Sequence, residues 1–159
     1  MPHRGRLNLL TGLLNYPPRA LFHKIKGYSE IPSELFGIGD VLSHIGISTH
    51  LPETQMKLSL LNNPSHLEAV NPVALGKARA KITQGRKASC VLMHGDAAFV
   101  GQGIVAETLL LSKLQHFHTG GTVHVVLDNQ IGFTTPSKHA RSTRYSGDVG
   151  KMINIPILR

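Results

Sequence analysis

"ASCVLMHGDAAF", residues 88–99, and "GGTVHVVLDNQIGF", residues 120–133, decide how this chain folds. Each carries a short apolar run, and each run ends in a polar cluster with an acid. Ala88 to Met93 reads as a buried strand, and Thr122 to Leu127 as a second, β-branched one. Ile104 to Leu114 lies between them, apolar on most faces, which predicts a well-buried helix. Gly95 to Gly103 reads as a glycine- and alanine-rich turn, and Gly120-Gly121 closes the helical segment. Strand, helix and strand in about forty residues make one βαβ unit, with parallel strands and a right-handed crossover. The fold class is α/β.

This unit gives Asp96 a geometry. Asp96 follows the first strand and Asn129 the second, so neighbouring strands set both at the carboxyl edge of the sheet, where open α/β folds bind ligands. A carboxylate, an amide oxygen and the main-chain carbonyl of Ile131 are hard donors suited to Mg²⁺, which completes its octahedron with phosphate and water. Ala97, Ala98, Gly101 and Gly103 leave room for that phosphate, and the N-terminus of the 104–114 helix favours its charge. Read alone, Asp96 also fits a helix cap or turn residue. "GDAAFVGQG" does not fit the G-x-G-x-x-G dinucleotide pattern.

Before this unit the signals are shorter. Leu7 to Leu14 reads as a helix stopped by Pro17-Pro18, and Arg19 to Lys26 as a second closed by Gly27. Residues 27 to 57 are loop-rich, and Lys57 to Leu61 reads as a short strand. Asn71-Pro72 is placed to cap a helix over Val73 to Ile82. Met1 to Ser29 holds five Lys and Arg and no acid, a composition like that of a mitochondrial transit peptide, although it is poor in Ser.

The 159 residues suffice for one domain with a core, and 41% hydrophobic content fits a soluble globular protein. No apolar run approaches the roughly 18 residues of a membrane span. Cys90 is the only cysteine, so an internal disulfide is excluded. The net charge of +8 points to a polyanionic partner, or to a piece of a larger protein whose acidic remainder lies elsewhere. The bases are scattered, so dedicated nucleic-acid binding is not expected. A non-catalytic basic fragment that binds a partner protein or polyanion is the alternative functional reading.

"HGDAAFVGQGIVAETLLLSKL" followed by "GGTVHVVLDNQIGFTT" resembles the thiamine-diphosphate motif of the 2-oxoglutarate dehydrogenase family. "RSTRYSGDVGKM", "NPSHLEAVNPVALGKARA", "GDVLSHIG" and "MPHRGRLN" are similar to the same family in the same order, and the opening leans towards its 2-oxoadipate branch. The resemblance implies a thiamine-diphosphate-binding fold, with residues 1–159 a partial transketolase-like diphosphate-binding domain and the pyrimidine-binding domain absent. It implies Asp96, Asn129 and Ile131 as Mg²⁺ ligands. It implies Arg4, Ser65, Leu67, Asp96, Ala97, Ala98 and Asn129 as thiamine-diphosphate contacts. His44, Ser65 and His3 take the catalytic roles of holding the 2-oxo acid and exchanging protons. The implied activity is oxidative decarboxylation of 2-oxoglutarate or 2-oxoadipate, within the tricarboxylic acid cycle or lysine degradation. Acyl transfer goes to a lipoyl-bearing acyltransferase subunit; the enzyme is a homodimer of the mitochondrial matrix, and this fragment alone is expected to be inactive. "MPHRG" is internal in that family, which makes the transit-like composition coincidental. Asp128 departs from the family's Asn-Asn-Gln and adds a negative charge beside the metal site. The stretches 44–65 and 80–89 look shortened.

Overall fold

The computed structural model describes residues 1–29, 31–35, 37 and 39–159. They form two compact units, Pro2–Ser65 and His66–Arg159.

In the first unit, α1 (Arg6–Gly12) and α2 (Pro18–Ile25) precede an antiparallel pair, β1 (Ile47–His50) and β2 (Lys57–Leu60). Pro18 opens α2, where its missing N–H has no intrahelical partner to lose. The strand β1 falls in the stretch expected to be loop. Four residues of mixed polarity carry little strand signal, and pairing of Ile47 with Leu60 supplies what the local sequence lacks. Gly46 is required at the base of this hairpin. A Cβ there would stand 2.8 Å from both the Leu60 carbonyl and the Asn62 amide nitrogen.

Leu10, Leu14 and Ile45 form the core of this unit, with Leu42, Ile47, Leu58 and Leu60 packed against them. Arg6 is buried with them, at 0% exposure. Its Nε and Nη2 donate to the Ile45 carbonyl at 3.0 and 2.6 Å, and Nη2 also donates to the Leu61 carbonyl at 2.6 Å. One guanidinium therefore ties α1 to both approaches of the hairpin. Burial lowers its pKa, because the charged form loses water. The basic, leucine-rich opening stretch is thus a structural part of this unit, with Arg6 and Leu10 fully buried.

In the second unit, α3 (Val70–Thr83) leads to β3 (Cys90–Gly95), α4 (Asp96–Gly101), α5 (Ile104–Leu111) and β4 (Thr122–Leu127). The two strands pair in parallel, Cys90 with Thr122 through Gly95 with Leu127, as the βαβ reading expects. Ala78, Cys90 and Leu92 form one buried cluster, and Phe99, Val105, Leu109 and Ile153 another.

Three expectations need correction. Residues 95–103 are not a plain turn: α4 starts directly at Asp96, because extended Gly95 caps a run of alanines that favour helix. Asn71 is not the cap of α3 but its second residue, and its amide donates to Glu68 Oε2 at 2.8 Å instead. Pro72 fits because it stands within the first turn, where amides lack helical partners. The strand β3 is buried on one face only. Val91 is 60% exposed and Val123 of β4 is 54% exposed, on the face opposite Leu92 and His94. No helix among the described residues is long and apolar enough to cross a membrane.

Arg6→Ala would strand the Ile45 and Leu61 carbonyls. It is expected to destabilise the first unit by about 3 kcal/mol, read as a fall in the urea midpoint by circular dichroism. Leu9→Ala, at a half-buried position of the same helix, should cost less.

Candidate functional site

The parallel ladder carries the next residues, Asp96 and Asp128, off one edge of the sheet. Asp96 is the first residue of α4 and only 1% exposed. Its Oδ2 accepts a hydrogen bond from Arg141 Nη1 at 3.2 Å. The other guanidinium nitrogen, Nη2, donates to Asp128 Oδ2 at 3.0 Å, which also accepts from the Ser146 hydroxyl at 3.4 Å. Asp96 Oδ1 is buried and has no hydrogen-bond partner among the described residues. Burial of an anionic oxygen without a partner is costly, and a cation at Oδ1 would remove the cost.

The other sequence-predicted donors follow β4. Asn129 Oδ1 accepts the Ile131 amide at 3.0 Å, which folds the turn on itself and leaves that oxygen a second lone pair. Gln130 and Phe133 adopt left-handed φ of 59° and 54°, a strained conformation for residues other than glycine. The turn packs on the start of α4: a Cβ at Gly132 would lie 3.2 Å from the Ala97 Cβ. Space is open beside Gly101 and Gly103. Among the described residues no three His, Cys, Asp or Glu side chains gather in a metal-holding cluster. A carboxylate joined by neutral amide and carbonyl oxygens is donor chemistry that suits Mg²⁺ rather than zinc.

Leu67 stands in a single 3-10 turn before α3. The next residue's amide, that of Glu68, donates to Gln102 Oε1 at 3.0 Å, holding this turn to the α4–α5 junction. The Glu68 carboxylate accepts from His94 Nδ1 at 2.6 Å, so Nδ1 carries the proton. His94 Nε2 meets His124 Nδ1 at 3.0 Å. Sequence reading missed this buried chain. Its only signal is that His94 and His124 share the packed face of the two strands. Burial, followed by the neighbouring His94, pushes the His124 pKa down to about 4, against a smaller pull upward from Glu68. His124 and Asp128 both line a cavity of about 720 Å³.

The first unit brings His3, His44 and Ser65 together. The Ser65 hydroxyl lies 3.4 Å from His44 Nε2, and the Ser65 carbonyl accepts from His3 Nε2 at 3.3 Å. The two imidazoles are 5.6 Å apart, centre to centre. His44 Nδ1 donates to Asp40 Oδ1 at 3.0 Å, which leaves Nε2 as the acceptor for the Ser65 hydroxyl. Asp40 was not among the residues singled out from sequence, although its i, i+4 spacing to His44 is visible there. With Nε2 of His3 donating, its buried Nδ1 is an unpartnered acceptor among the described residues. Arg4 is exposed in the turn before α1.

Residues 4–159 match the family model described as dehydrogenase E1 component. The chain belongs to the dehydrogenase E1 component family. It is 53% identical over 167 residues to the probable 2-oxoadipate dehydrogenase complex component E1 homolog of Dictyostelium discoideum, covering 99% of this chain and 19% of that protein. It is 47% identical over 175 residues to the 2-oxoadipate dehydrogenase complex component E1 of Homo sapiens, with the same coverage. It is also 47% identical over 173 residues to the 2-oxoglutarate dehydrogenase E1 component of Brucella ovis, covering 99% of this chain and 17% of that protein. The chain thus spans about a fifth of the length of these E1 relatives.

Two measurements check this geometry. Unfolded histidine takes a proton near pH 6.5, whereas folded His124 resists until about 4. The unfolded state therefore binds more protons in that window, and stability should fall as pH drops from about 6.5 towards 4. Thermal melts at stepped pH should show a shallower fall in His124→Gln. For His44, ¹⁵N shifts should report an Nδ1-protonated ring that reverts to the Nε2-protonated form in Asp40→Ala.

Proposed function

We propose that this chain forms part of a thiamine-diphosphate-dependent E1 enzyme that oxidatively decarboxylates a 2-oxo dicarboxylic acid, 2-oxoglutarate or 2-oxoadipate. The acyl group passes to a lipoyl group on an acyltransferase subunit. The observation that carries the reading is the buried, unpartnered Oδ1 of Asp96, in a chain of the E1 family.

The roles divide between the two units. His66–Arg159 is part of a diphosphate-binding domain of the thiamine-diphosphate fold. Asp96 Oδ1, the Asn129 amide oxygen and the Ile131 carbonyl hold Mg²⁺. Leu67, Ala97 and Ala98 contact the cofactor, and the space beside Gly101 and Gly103 receives its diphosphate. Bound thiamine diphosphate supplies the carbanion and electron sink that decarboxylation of a 2-oxo acid needs.

In Pro2–Ser65, His44 and His3 orient the 2-oxo acid and exchange protons with it. Asp40 fixes the His44 tautomer, so Nε2 is the atom that accepts or returns a proton. Ser65 offers its hydroxyl to a carbonyl or carboxylate, and Arg4 its guanidinium to a phosphate. The 2-oxoadipate and 2-oxoglutarate dehydrogenase components among the relatives support this substrate class. A homodimer in the mitochondrial matrix belongs to the same proposal.

Calorimetric titration of thiamine diphosphate into the chain tests it. Binding should require Mg²⁺ and weaken at least about a hundredfold in Asp96→Ala. Equal binding by both proteins, or binding indifferent to Mg²⁺, overturns the assignment. Salt-sensitive DNA binding that ignores Mg²⁺ and Asp96 would favour the basic-fragment alternative.

A further inference from the structure

Arg141 spans two carboxylates that leave the sheet from adjacent strands. It gives one nitrogen to Asp96 Oδ2 and the other to Asp128 Oδ2. The three side chains differ in exposure: Asp96 is 1% exposed, Arg141 15% and Asp128 36%. Asp96 lies too deep to shed its charge into water, so it needs a counter-ion. Asp128 reaches solvent, yet it spends its Oδ2 on the same guanidinium.

We infer that Arg141 is a positioning and charge-setting residue for the cation site, and that Asp128 is its counterweight. Arg141 engages only one oxygen of Asp96 and so fixes which oxygen is left for a metal. Because its charge is divided between two carboxylates, the trio keeps one net negative charge. With a neutral side chain at 128, Arg141 would offset Asp96 more fully and a divalent cation would meet weaker attraction. With Arg141 neutral, two negative charges would face the cation. The negative charge of Asp128, which the sequence presents as an addition to the metal site, is what this arginine offsets. The inference rests on the cation reading proposed above.

The test is Mn²⁺ binding to the whole chain, followed by the electron paramagnetic resonance signal of the free ion. Four variants are compared with wild type: Asp128→Asn, Arg141→Gln, the double variant and Arg141→Lys. A unit charge about 6 Å from a divalent ion, screened as in bulk water, changes affinity by about tenfold. Asp128→Asn should therefore bind about tenfold more weakly and Arg141→Gln about tenfold more tightly. The double variant, again with one net negative charge, should return to within about threefold of wild type, and Arg141→Lys should stay there. A merely structural arginine gives a different order: Arg141→Gln binds more weakly and the double variant more weakly still, which overturns the inference. If circular dichroism shows Arg141→Gln unfolded, Asp128→Asn and Arg141→Lys decide. Unchanged affinity in Asp128→Asn, or loss in Arg141→Lys, overturns it. Wild-type protein that takes up no Mn²⁺, or takes it up equally in Asp96→Ala, overturns the cation reading and the inference with it. Failure of the charge ordering in a chain whose Mn²⁺ binding needs Asp96 overturns the inference alone.

Discussion

The parallel ladder between β3 and β4 is the constraint from which the candidate cation site follows. A parallel pair delivers both chain ends to the same edge, and the in-register pairing of Gly95 with Leu127 makes Asp96 and Asp128 neighbours as they leave it. An antiparallel pair would have sent them to opposite ends. The turn after β4, with its two left-handed residues and Gly132 against Ala97, then packs on the first residues of α4.

Buried polar groups recur through both units, and each is secured differently. Arg6 is held by backbone carbonyls, which suits a fixed structural joint. Glu68 and His94 hold one another, with Asn71 on the same carboxylate oxygen. Asp96 keeps one buried carboxylate oxygen with no partner among the described residues while Arg141 holds the other. A fold that satisfies Glu68 and leaves Asp96 half satisfied has the chemistry of a ligand site, since unpaired buried anions otherwise cost stability.

The signals legible in the sequence were those with strong periodicity or chemistry. The strand Thr122–Leu127 has the expected bounds, β2 differs from expectation by one residue at one end, and α2 by one residue at each end. His3, His44 and Ser65, distant in sequence, meet in the first unit. What sequence reading missed was short or relational. The strand β1 exists through its partner. The α4 helix hides behind glycines that look like a turn. Arg6 reads as one base among many until its carbonyl partners are known.

By itself, the sequence determined the α/β class, the strand–helix–strand order, the family, and the residue types able to bind a divalent cation. These follow from local periodicity and from side-chain chemistry, which travel with the residues. Only the tertiary structure decided which oxygen of Asp96 is left without a partner, that Asp40 sets the His44 tautomer, and that Arg141 joins Asp96 to Asp128. Those are contacts between residues up to 45 positions apart. Their energies depend on burial and ångström-scale distance, quantities that no local pattern in a chain encodes.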